Sequence, residues 1–373
     1  MNPSYAIVCT GLGHVFRGYE ASTLQLYQQL RSFGDFRLYA GGSDVEHDGE
    51  ILWNVPRGAS VYKMVPAGLA TFFRRYQIEC FTAARSLVAA LYRRPADVIF
   101  TPDHLLAAYF LAHGEKLPKK PRVIFSNGAP FPWSYCSRFH YVHQKSYRDY
   151  RESLADRTAS SRVFLIPNGF DARSLELPAD LDMFSLRESL DLPIGKHIIL
   201  SVAALQVTHK RLDWLIREFS ALPASQFHLV LAGARTEETQ QVTRLCHQSL
   251  PAGNFTITTV APDRLPKLLW ASDIVVLCSL SEGFSRAIGE AMGASRLVLV
   301  HPHENSQWVV DNPNCYVDMT QAGDLQRKIL EVERGDRDLA SDVAQNLERF
   351  TRNFEWDAVR AAYLDMFRVA AAG

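Results

Sequence analysis

The sequence predicts an α/β protein built from two doubly wound parallel β-sheet domains that face a central cleft. Short apolar runs recur along the chain, and most are continuous rather than alternating, which is typical of strands buried on both faces of a parallel sheet. Stretches with helical spacing separate these runs, and repeated strand–helix units favour sheets covered by helices on both sides. At 373 residues the chain is too long for one ordinary domain, so we expect two.

The first half of the chain carries predicted strands at residues 5–10, 36–40, 97–101 and 122–126. The second half carries predicted strands at residues 163–166, 197–203, 227–232, 255–260, 273–278 and 296–300, followed by a short one at 315–317. Apolar spacing predicts helices at residues 20–32, 69–92, 212–221, 236–248, 266–271, 287–293 and 356–370. This alternation suits a parallel sheet, because each crossover must return the chain to the same end of the sheet.

The predicted domain boundary is the turn at residues 167–169, where a strand runs into a polar segment. We expect one Rossmann-like domain at residues 1–165 and a second Rossmann-like domain at residues 166–354. Residues 355–373 contain a last helical pattern, which we expect to pack back on the first domain. Ligands of such sheets bind at the carboxyl ends of the strands, so the loops that follow the strands are the places to search for a site.

The composition excludes several classes of protein. Hydrophobic residues make up 47% of the chain and charged residues 21%, which is typical of a globular protein and not of a disordered or disulfide-stapled chain. Forty basic and forty acidic residues balance, so the net charge gives no reason to expect a nucleic-acid partner. The six cysteines lack metal-ligand spacing, no secretory signal is visible and no apolar run is long enough to span a bilayer. We therefore predict a cytoplasmic protein.

The balanced charge conceals a basic region. Between residues 57 and 151 there are fifteen Lys and Arg against five Asp and Glu, and the stretch 57–94 has seven against one. Aromatic and basic residues are interleaved at 72–76. Such an amphipathic stretch could make peripheral contact with an anionic membrane, or it could admit an anionic acceptor. A helix that packs on the core and exposes a basic face to solvent explains the same pattern.

The most informative motif follows a predicted strand of the second half. The sequence from Glu282 to Glu290 reads EGFSRAIGE and is expected to open a helix. The backbone N–H groups of Gly283, Phe284 and Ser285 are then expected to be unpaired first-turn donors. Eight residues at a rise of about 1.5 Å separate the two glutamates by about 12 Å, so they suit two parts of one extended ligand. A capping acid plus a solvated helix glutamate is the alternative explanation.

A second motif follows the predicted strand at 197–203. Lys210 stands at the start of the next predicted helix, between His209 and Arg211. A lysine at that place can reach a phosphate as a mobile point charge. At about 4 Å and an effective dielectric near 20, one such contact is worth roughly 4 kcal/mol. An ordinary exposed pair of basic residues is the alternative explanation.

A glycine-rich loop follows the first predicted strand and includes Gly11, Gly13 and Gly18. Glycine lets the backbone approach a ligand closely. The loop is not a dinucleotide-binding fingerprint, because Phe16 occupies the position of the third glycine and no acid follows the strand at 36–40 to hold a ribose. A nicotinamide-dependent oxidoreductase is therefore disfavoured.

Taken in order, these motifs resemble those of the retaining family-4 glycosyltransferases, which have the two-domain GT-B fold. The most specific part is the glutamate pair in EGFSRAIGEAM, and the supporting parts are IPNGFD at 166–171, HKRLDWLI at 209–216 and LVLAG at 229–233. The resemblance covers most of the chain and implies that residues 1–165 form the acceptor-side domain and residues 166–354 the donor-binding domain. It implies transfer of a hexose, with retention of the anomeric configuration, from a nucleotide-diphosphate sugar to an acceptor hydroxyl on a carbohydrate, a lipid-linked molecule or a small molecule.

The resemblance also implies roles for individual residues. Lys210 would bind the donor diphosphate, and Glu282 with the three amides that follow it would hold the donor sugar. These two side chains would be the catalytic ones. Glu290 would hold the ribose hydroxyls, and Gly13 would lie beside the phosphates or the acceptor.

Two positions depart from the family pattern. The family commonly has an arginine shortly before the lysine, but Ala204 and Leu205 fill that region. One phosphate cation is therefore either missing or supplied from elsewhere, for example by Arg211 or Arg286. A histidine often follows the first-domain strand that faces the donor, whereas this strand ends at Asn127. Asn127 could hydrogen-bond a sugar hydroxyl but could not act as an acid or a base.

The sequence predicts no metal site. The Asp-x-Asp triplets at 180–182 and 336–338 do not follow apolar strands, and the segment 301–304 offers no third distant ligand. We expect no cofactor beyond the sugar nucleotide that serves as substrate. A sugar-nucleotide epimerase of the same fold and a non-catalytic partner protein that kept the fold are the alternatives.

Overall fold

The computed structural model describes residues 2–15, 18–44, 46–64, 71–128, 131–336 and 338–373. The chain forms two compact units, one made of Met1–Gly169 with Trp356–Gly373 and the other of Phe170–Glu355. Each unit is built on one sheet, and the strands of both sheets pair in parallel. The predicted fold class, two doubly wound parallel-sheet domains, is confirmed.

The first unit contains these elements in chain order: β1 (Ser4–Cys9), α1 (Gly18–Leu30), β2 (Asp35–Ala40), β3 (Glu50–Ile51), α2 (Phe72–Arg93), β4 (Val98–Thr101), α3 (His104–His113), β5 (Arg122–Asn127), α4 (Trp133–Cys136), β6 (Tyr141–Gln144), α5 (Tyr147–Ser153) and β7 (Val163–Leu165). Its sheet has the strand order β3-β2-β1-β4-β5-β6-β7. The chain therefore starts near the middle of the sheet and builds outwards in both directions.

Both faces of this sheet are buried, which explains the continuous apolar runs. Ala6 and Val8 of β1 pack on one face with buried residues of α2 and α3. Tyr5 and Ile7, which alternate with them, pack on the other face with buried residues of α1. Successive side chains of a strand point to opposite faces, so all six residues of β1 are buried.

The second unit continues with α6 (Ala172–Leu175), α7 (Met183–Ser189), β8 (His197–Val202), α8 (Leu212–Ser220), β9 (Phe227–Ala232), α9 (Thr239–Ser249), β10 (Phe255–Thr258), α10 (Leu265–Ala271), β11 (Ile274–Leu277), α11 (Arg286–Gly293), β12 (Leu297–Val300), α12 (Glu304–Val310), α13 (Asp324–Glu333) and α14 (Leu339–Asn353). Its sheet has the order β10-β9-β8-β11-β12. Short 3₁₀ helices in the two units lie at Arg31–Phe33, Ser60–Met64, Gly114–Lys116, Pro262–Arg264 and Pro313–Cys315.

The last helix of the chain, α15 (Trp356–Ala372), belongs to the first unit. Met366 and Phe367 are fully buried in the core that covers one face of the first sheet. The Tyr363 hydroxyl donates to the carbonyl of Pro167 at 3.0 Å. A side chain at Gly169 would collide with the Trp356 ring, because a Cβ there would lie 2.5 Å from it. The start of α15 and the end of the first unit's main segment are therefore closely packed.

The structure differs from the prediction at several elements. The strands β3 and β6 were not predicted, and residues 315–317 form no strand but a single bridge between Val300 and Tyr316. The predicted helix at 69–92 is α2, which starts at Phe72; residues 69 and 70 lie outside the described residues. The strand β6 escaped prediction because its polar residues His143 and Gln144 are buried and hydrogen-bonded within the fold rather than exposed.

All six cysteines are buried thiols outside any disulfide, and burial raises the pKa of the Cys136 and Cys246 thiols to about 12. Thiols in such surroundings are poor nucleophiles.

Among the described residues, no helix combines the length and the apolar character needed to cross a membrane.

The buried histidine of β6 makes stability depend on pH. His143 accepts a hydrogen bond from Ser126 at 3.0 Å and donates to the Ile166 carbonyl at 2.8 Å. Burial, helped by the charge of Lys145, lowers the pKa of His143 to about 3. An unfolded histidine binds a proton near pH 6.5, so below that pH the unfolded chain takes up a proton that the folded chain refuses. The stabilisation from the neutral ring is complete above pH 6.5 and is lost as the pH falls towards 3.

We expect the free energy of unfolding to fall between pH 6.5 and pH 4, with this histidine contributing about 1.4 kcal/mol per pH unit. Denaturant unfolding at pH 7 and pH 5 measures the slope. His143→Gln should reduce this slope by about the contribution of one titrating histidine. His113→Gln, at an exposed histidine, is the matched control and should keep the slope of the unmodified protein. Equal slopes for the two variants would contradict the assignment.

Candidate functional site

The candidate site of the second unit lies at the carboxyl edge of its sheet. The strands β8 and β11 are neighbours, with Ile199 opposite Ile274 and Leu200 opposite Val275. The loops that follow them therefore lie side by side, and the first leads to Lys210 and the second to Glu282. The ammonium group of Lys210 donates to the Glu282 carboxylate. Their side chains are only 18% and 11% exposed, so this is a largely desolvated ion pair.

Two further groups hold Glu282 in place. The Nε2 atom of His209 lies 3.8 Å from its carboxylate and 3.0 Å from the carbonyl oxygen of Ser281, to which it can donate. The side-chain amide of Asn305, in the first turn of α12, donates to the backbone carbonyl of Glu282 at 2.6 Å. The loop is thus fixed both from the β8 side and from the β12 side.

The loop between Glu282 and α11 presents backbone donors. Sequence reasoning placed Gly283, Phe284 and Ser285 in the first turn of the helix, but α11 starts at Arg286 and Ser285 is its N-cap residue. The three residues precede the helix, which corrects the prediction. Within the described part of the chain no protein acceptor takes their N–H groups, and the Ser285 side chain does not cap the helix. Donors next to the positive end of a helix suit an anion.

Phe284 anchors this loop through its side chain. The ring lies within 6.0 Å of the rings of Phe170, Trp308 and Phe354, measured between centroids. The aromatic contacts hold the side chain on the inside of the unit. The backbone of the loop therefore remains the part that can contact a ligand.

Glu290 does not join the Lys210–Glu282 pair. It lies one helical turn after Arg286, whose guanidinium donates to its carboxylate at 2.9 Å. The Arg286 guanidinium also stacks over the Phe170 ring at 4.8 Å from the centroid. Glu290 therefore belongs to a second charged pair, and both partners of that pair lie on α11.

Arg211 is engaged elsewhere. It has left-handed backbone angles at the N-cap of α8, with φ of 50°. Its guanidinium donates to the carbonyl of Met319 at 2.7 Å and stacks over Trp214 at 4.8 Å. This placement gives no support to Arg211 as the second phosphate cation, whereas Arg286 lies at the start of α11 beside the donor amides.

The predicted site residues of the first unit lie at the carboxyl edge of its own sheet. Gly13 has a φ of 90°, and a Cβ there would lie 2.0 Å from the carbonyl oxygen of Gly42. The loop therefore requires glycine for its own packing. The Asn127 side chain is fully buried, and its amide donates to Gln144 at 3.0 Å. A direct contact of Asn127 with a sugar is not supported by this placement.

Sequence reasoning missed a polar network at the same edge of the first unit. Glu79 of α2 is completely buried and its carboxylate contacts both Arg57 and His14. Asp103, after β4, accepts a hydrogen bond from the backbone N–H of Thr10 at 2.7 Å. Burial raises the pKa of the Asp103 carboxyl group. In the sequence, only the glycine loop pointed to this polar network, because His14 directly follows Gly13.

A small cavity in the second unit adds residues that sequence reasoning did not select. It lies between α11 and α12 and is lined by Ser279, Glu282, Ser285, His301 and Asn305 among others. The Ser279 hydroxyl is buried and has no hydrogen-bond partner among the residues that the structure describes. His301 accepts a hydrogen bond from the Met319 N–H at 3.2 Å through Nδ1, which leaves Nε2 as the protonated nitrogen of the neutral ring.

The two Asp-x-Asp triplets have structural roles. Asp182 caps α7 by accepting from the N–H groups of Phe184 and Ser185, at 3.0 and 3.3 Å. Asp338 caps α14 by accepting from the N–H of Ser341 at 3.0 Å. Among the described residues, no group of three or more His, Cys, Asp or Glu side chains is arranged to hold a metal ion.

Comparison with known proteins points to one class of enzyme. Residues 196–334 match the family model described as glycosyl transferases group 1. This segment contains Lys210, Glu282 and Glu290. No curated protein matches the chain significantly.

Solved structures resemble the whole chain. Sucrose-phosphate synthase from Thermosynechococcus elongatus has a TM-score of 0.78 at 17% identity and covers 100% of both chains. Anabaena HepE in complex with UDP has a TM-score of 0.74 at 15% identity and covers 98% of this chain and 99% of its own. A glycosyltransferase from Rickettsia africae has a TM-score of 0.72 at 16% identity, with 99% and 98% covered. These likenesses establish the GT-B fold, and with the family model they indicate a glycosyltransferase.

The Lys210–Glu282 pair should be measurable as a coupling free energy. Because both side chains are largely desolvated, removing one partner leaves an uncompensated charge, and we expect Lys210→Met or Glu282→Gln alone to cost about 1–3 kcal/mol. The double variant should cost less than the sum of the two. Denaturant unfolding at pH 7 provides the four values of the cycle.

The control cycle uses Glu348 and Arg352 of α14, whose side chains are 58% and 72% exposed. Their coupling should not exceed about 0.5 kcal/mol. A coupling for Lys210 and Glu282 no larger than that of this exposed pair would show that the contact is not held as described.

Proposed function

We propose that the protein is a retaining hexosyltransferase, which moves a hexose from a nucleotide-diphosphate sugar to an acceptor hydroxyl. The observation that carries the proposal is the contact of Lys210 with Glu282 beside three backbone N–H groups that have no acceptor in the described part of the chain. A cation and free amides suit a diphosphate, and a carboxylate suits sugar hydroxyls. The family model for residues 196–334 supports the same class of reaction.

In this proposal the donor diphosphate replaces the Glu282 carboxylate as the hydrogen-bond partner of the Lys210 ammonium group. The leaving diphosphate gains negative charge as the glycosidic bond breaks, and Lys210 with the amides of Gly283, Phe284 and Ser285 stabilises that charge. One ammonium–phosphate contact at about 4 Å is worth roughly 4 kcal/mol at an effective dielectric near 20. If it strengthens in the transition state, it contributes on the order of a thousandfold to the rate.

The carboxylate of Glu282, released from Lys210, accepts hydrogen bonds from hydroxyls of the donor sugar. Glu290 accepts hydrogen bonds from the ribose hydroxyls, which requires it to share or exchange its contact with Arg286. Arg286 is then the better candidate for the second phosphate cation, since the guanidinium of Arg211 is bound to Met319. We propose front-face substitution, in which the departing phosphate oxygen helps to deprotonate the acceptor.

The first unit supplies the acceptor side in this proposal. Gly13 lies at the carboxyl edge of its sheet, where a ligand can approach the backbone of the glycine loop. The acceptor is a carbohydrate, a lipid-linked molecule or a small molecule with a free hydroxyl. We propose that neither a metal ion nor a cofactor takes part. The six buried cysteines, none of which is in a disulfide, support a reducing compartment, and we propose the cytoplasm.

The donor should be identifiable by ligand-linked stabilisation. UDP-glucose is the first candidate, because Anabaena HepE is known in complex with UDP-glucose and shares the fold. In a thermal-shift screen with UDP-, GDP- and ADP-hexoses, one nucleotide class should raise the melting temperature. Its binding increases the free energy of unfolding by RT ln(1 + [L]/Kd), or about 2.7 kcal/mol at a hundredfold excess over Kd. No shift with any of them would favour a non-catalytic partner protein.

The proposed roles predict the effect of substitutions on turnover. Lys210→Ala and Glu282→Ala should each lower kcat about 100- to 1000-fold, because each removes a charge that acts on the reacting groups. Lys267→Ala and Glu188→Ala, at exposed positions of the same unit, are the matched controls and should keep normal rates. Release of the nucleotide diphosphate in the presence of acceptors measures turnover.

The products separate the proposal from the epimerase alternative. Incubation with donor alone should leave the sugar configuration of the nucleotide sugar unchanged, whereas an epimerase would convert it without an acceptor. Near-normal turnover of either alanine variant would remove the role assigned to that residue.

A further inference from the structure

The loop that carries Lys210 is held by Glu238, which lies between β9 and α9. The Oε2 atom of Glu238 accepts from the backbone N–H groups of Val207 and Thr208, at 2.8 and 2.9 Å. Its Oε1 atom accepts from the Thr208 hydroxyl at 2.8 Å. Three hydrogen bonds therefore fix two consecutive residues, and Lys210 follows the second of them by two positions.

Helix capping does not explain the placement of the Glu238 side chain. Glu238 is the N-cap residue of α9, a position from which a side-chain oxygen commonly accepts from the first N–H groups of its own helix. Glu238 makes no such capping hydrogen bond. The hydrogen bonds from Thr208 and Val207 lower the pKa of its carboxyl group, so it remains an ionised acceptor at neutral pH.

The two loops are also joined through their backbones. Because β8 and β9 pair in parallel, the loops that follow them start side by side. The Leu205 N–H donates to the Ala234 carbonyl at 3.0 Å, and the Thr236 hydroxyl donates to the Leu205 carbonyl at 2.7 Å. The pairing of the two strands therefore determines where Glu238 lies relative to the loop that carries Lys210.

Lys210 belongs to a turn that is attached at both ends. The Arg211 N–H donates to the Val207 carbonyl at 3.1 Å and closes the turn around Lys210. Glu238 holds the first end, and the Arg211 guanidinium holds the second end through the Met319 carbonyl at 2.7 Å. These contacts fix the backbone from which the flexible side chain of Lys210 extends.

We propose that Glu238 is a positioning residue for Lys210. By holding the turn, it keeps the Lys210 ammonium group within reach of the Glu282 carboxylate. The inference rests on the proposed function where it extends to the donor diphosphate, which would bind the same ammonium group. The backbone position matters for that step, because a displacement of about 1 Å can cost on the order of a hundredfold in rate.

The contact of Lys210 with Glu282 tests the inference without any donor. Glu238→Ala removes the acceptor of all three hydrogen bonds. The cycle of Lys210→Met and Glu282→Gln, repeated in protein that carries Glu238→Ala, should give less than about half of the original coupling. Hydrogen exchange of the Val207 and Thr208 amides should become at least about tenfold faster. Glu237→Ala, at the exposed neighbouring residue, is the matched control and should change neither quantity.

Glu238→Gln separates hydrogen bonding from charge. The amide oxygen of glutamine can accept from both N–H groups, and its NH2 group can donate to the Thr208 hydroxyl, which is also an acceptor. This variant should therefore keep the coupling and the slow exchange. Thr208→Val removes one of the three hydrogen bonds and should have a smaller effect than Glu238→Ala.

UDP and uridine provide the functional readout. Glu238→Ala should weaken binding of UDP at least about tenfold, whereas binding of uridine, which has no phosphate, should stay within about twofold. In protein that carries Lys210→Ala, Glu238→Ala should have no further effect on UDP, because a residue that acts through Lys210 then has nothing to position. Calorimetry measures UDP binding, and NMR titration measures uridine binding.

Four results would overturn the inference. They are an unchanged Lys210–Glu282 coupling in Glu238→Ala, a Glu238→Gln variant as impaired as Glu238→Ala, additive effects of Glu238→Ala and Lys210→Ala on UDP binding, and equal losses for UDP and uridine. The last would show that Glu238 contacts the nucleoside directly. If the unmodified protein binds none of UDP, GDP and ADP, the proposed function fails, and a reduced coupling in Glu238→Ala still supports the role of Glu238 in positioning Lys210.

Discussion

The parallel pairing of β8 with β11 is the contact on which the candidate site depends. Lys210 and Glu282 are far apart in the chain, and neither makes a site alone. Parallel pairing ends both strands at the same edge of the sheet, with Leu200 opposite Val275 near that edge. The two loops that follow can then exchange a hydrogen bond between their charged side chains. A sheet buried on both faces holds this register firmly, because a slip of one residue would expose apolar side chains of both strands.

In the proposed function, the ligand must separate the Lys210–Glu282 ion pair. A lysine alone in a largely desolvated site would be costly to keep charged, and so would a glutamate. In the pair, each charge has a partner of opposite sign, and the contact orients both side chains. A diphosphate carries more negative charge than one carboxylate and can therefore displace Glu282 from the ammonium group. The displaced carboxylate then needs donors, and sugar hydroxyls are suitable ones. In the proposed function, breaking this one contact makes both charged side chains available to the activated sugar.

The repeated order of strands and helices could be predicted from the sequence, but some individual strands could not. Buried strands such as β1 and β11 were predicted because their residues are continuously apolar. The strand β6 was missed because His143 is buried with partners that lie far away in the chain, at Ser126 and Ile166. The same limit applies to the site. The spacing of EGFSRAIGE predicts a loop and a helix, but the start of α11 at Arg286 and the burial of Asn127 depend on tertiary contacts that no local pattern contains.

One buried carboxylate links the interior of the first unit to its surface. Glu79 lies on the inner side of α2, where Arg57 and His14 satisfy its charge. A carboxylate on the outer side of the helix would have neutralised part of the basic face and would have repelled anionic groups. Placing the acid inside stabilises the contact between α2 and the loops at the carboxyl edge, and it leaves the outer side to arginines and aromatic rings. The amphipathic pattern therefore reflects two demands at once: the packing of the helix on its unit and a solvent-facing side of uniform positive charge.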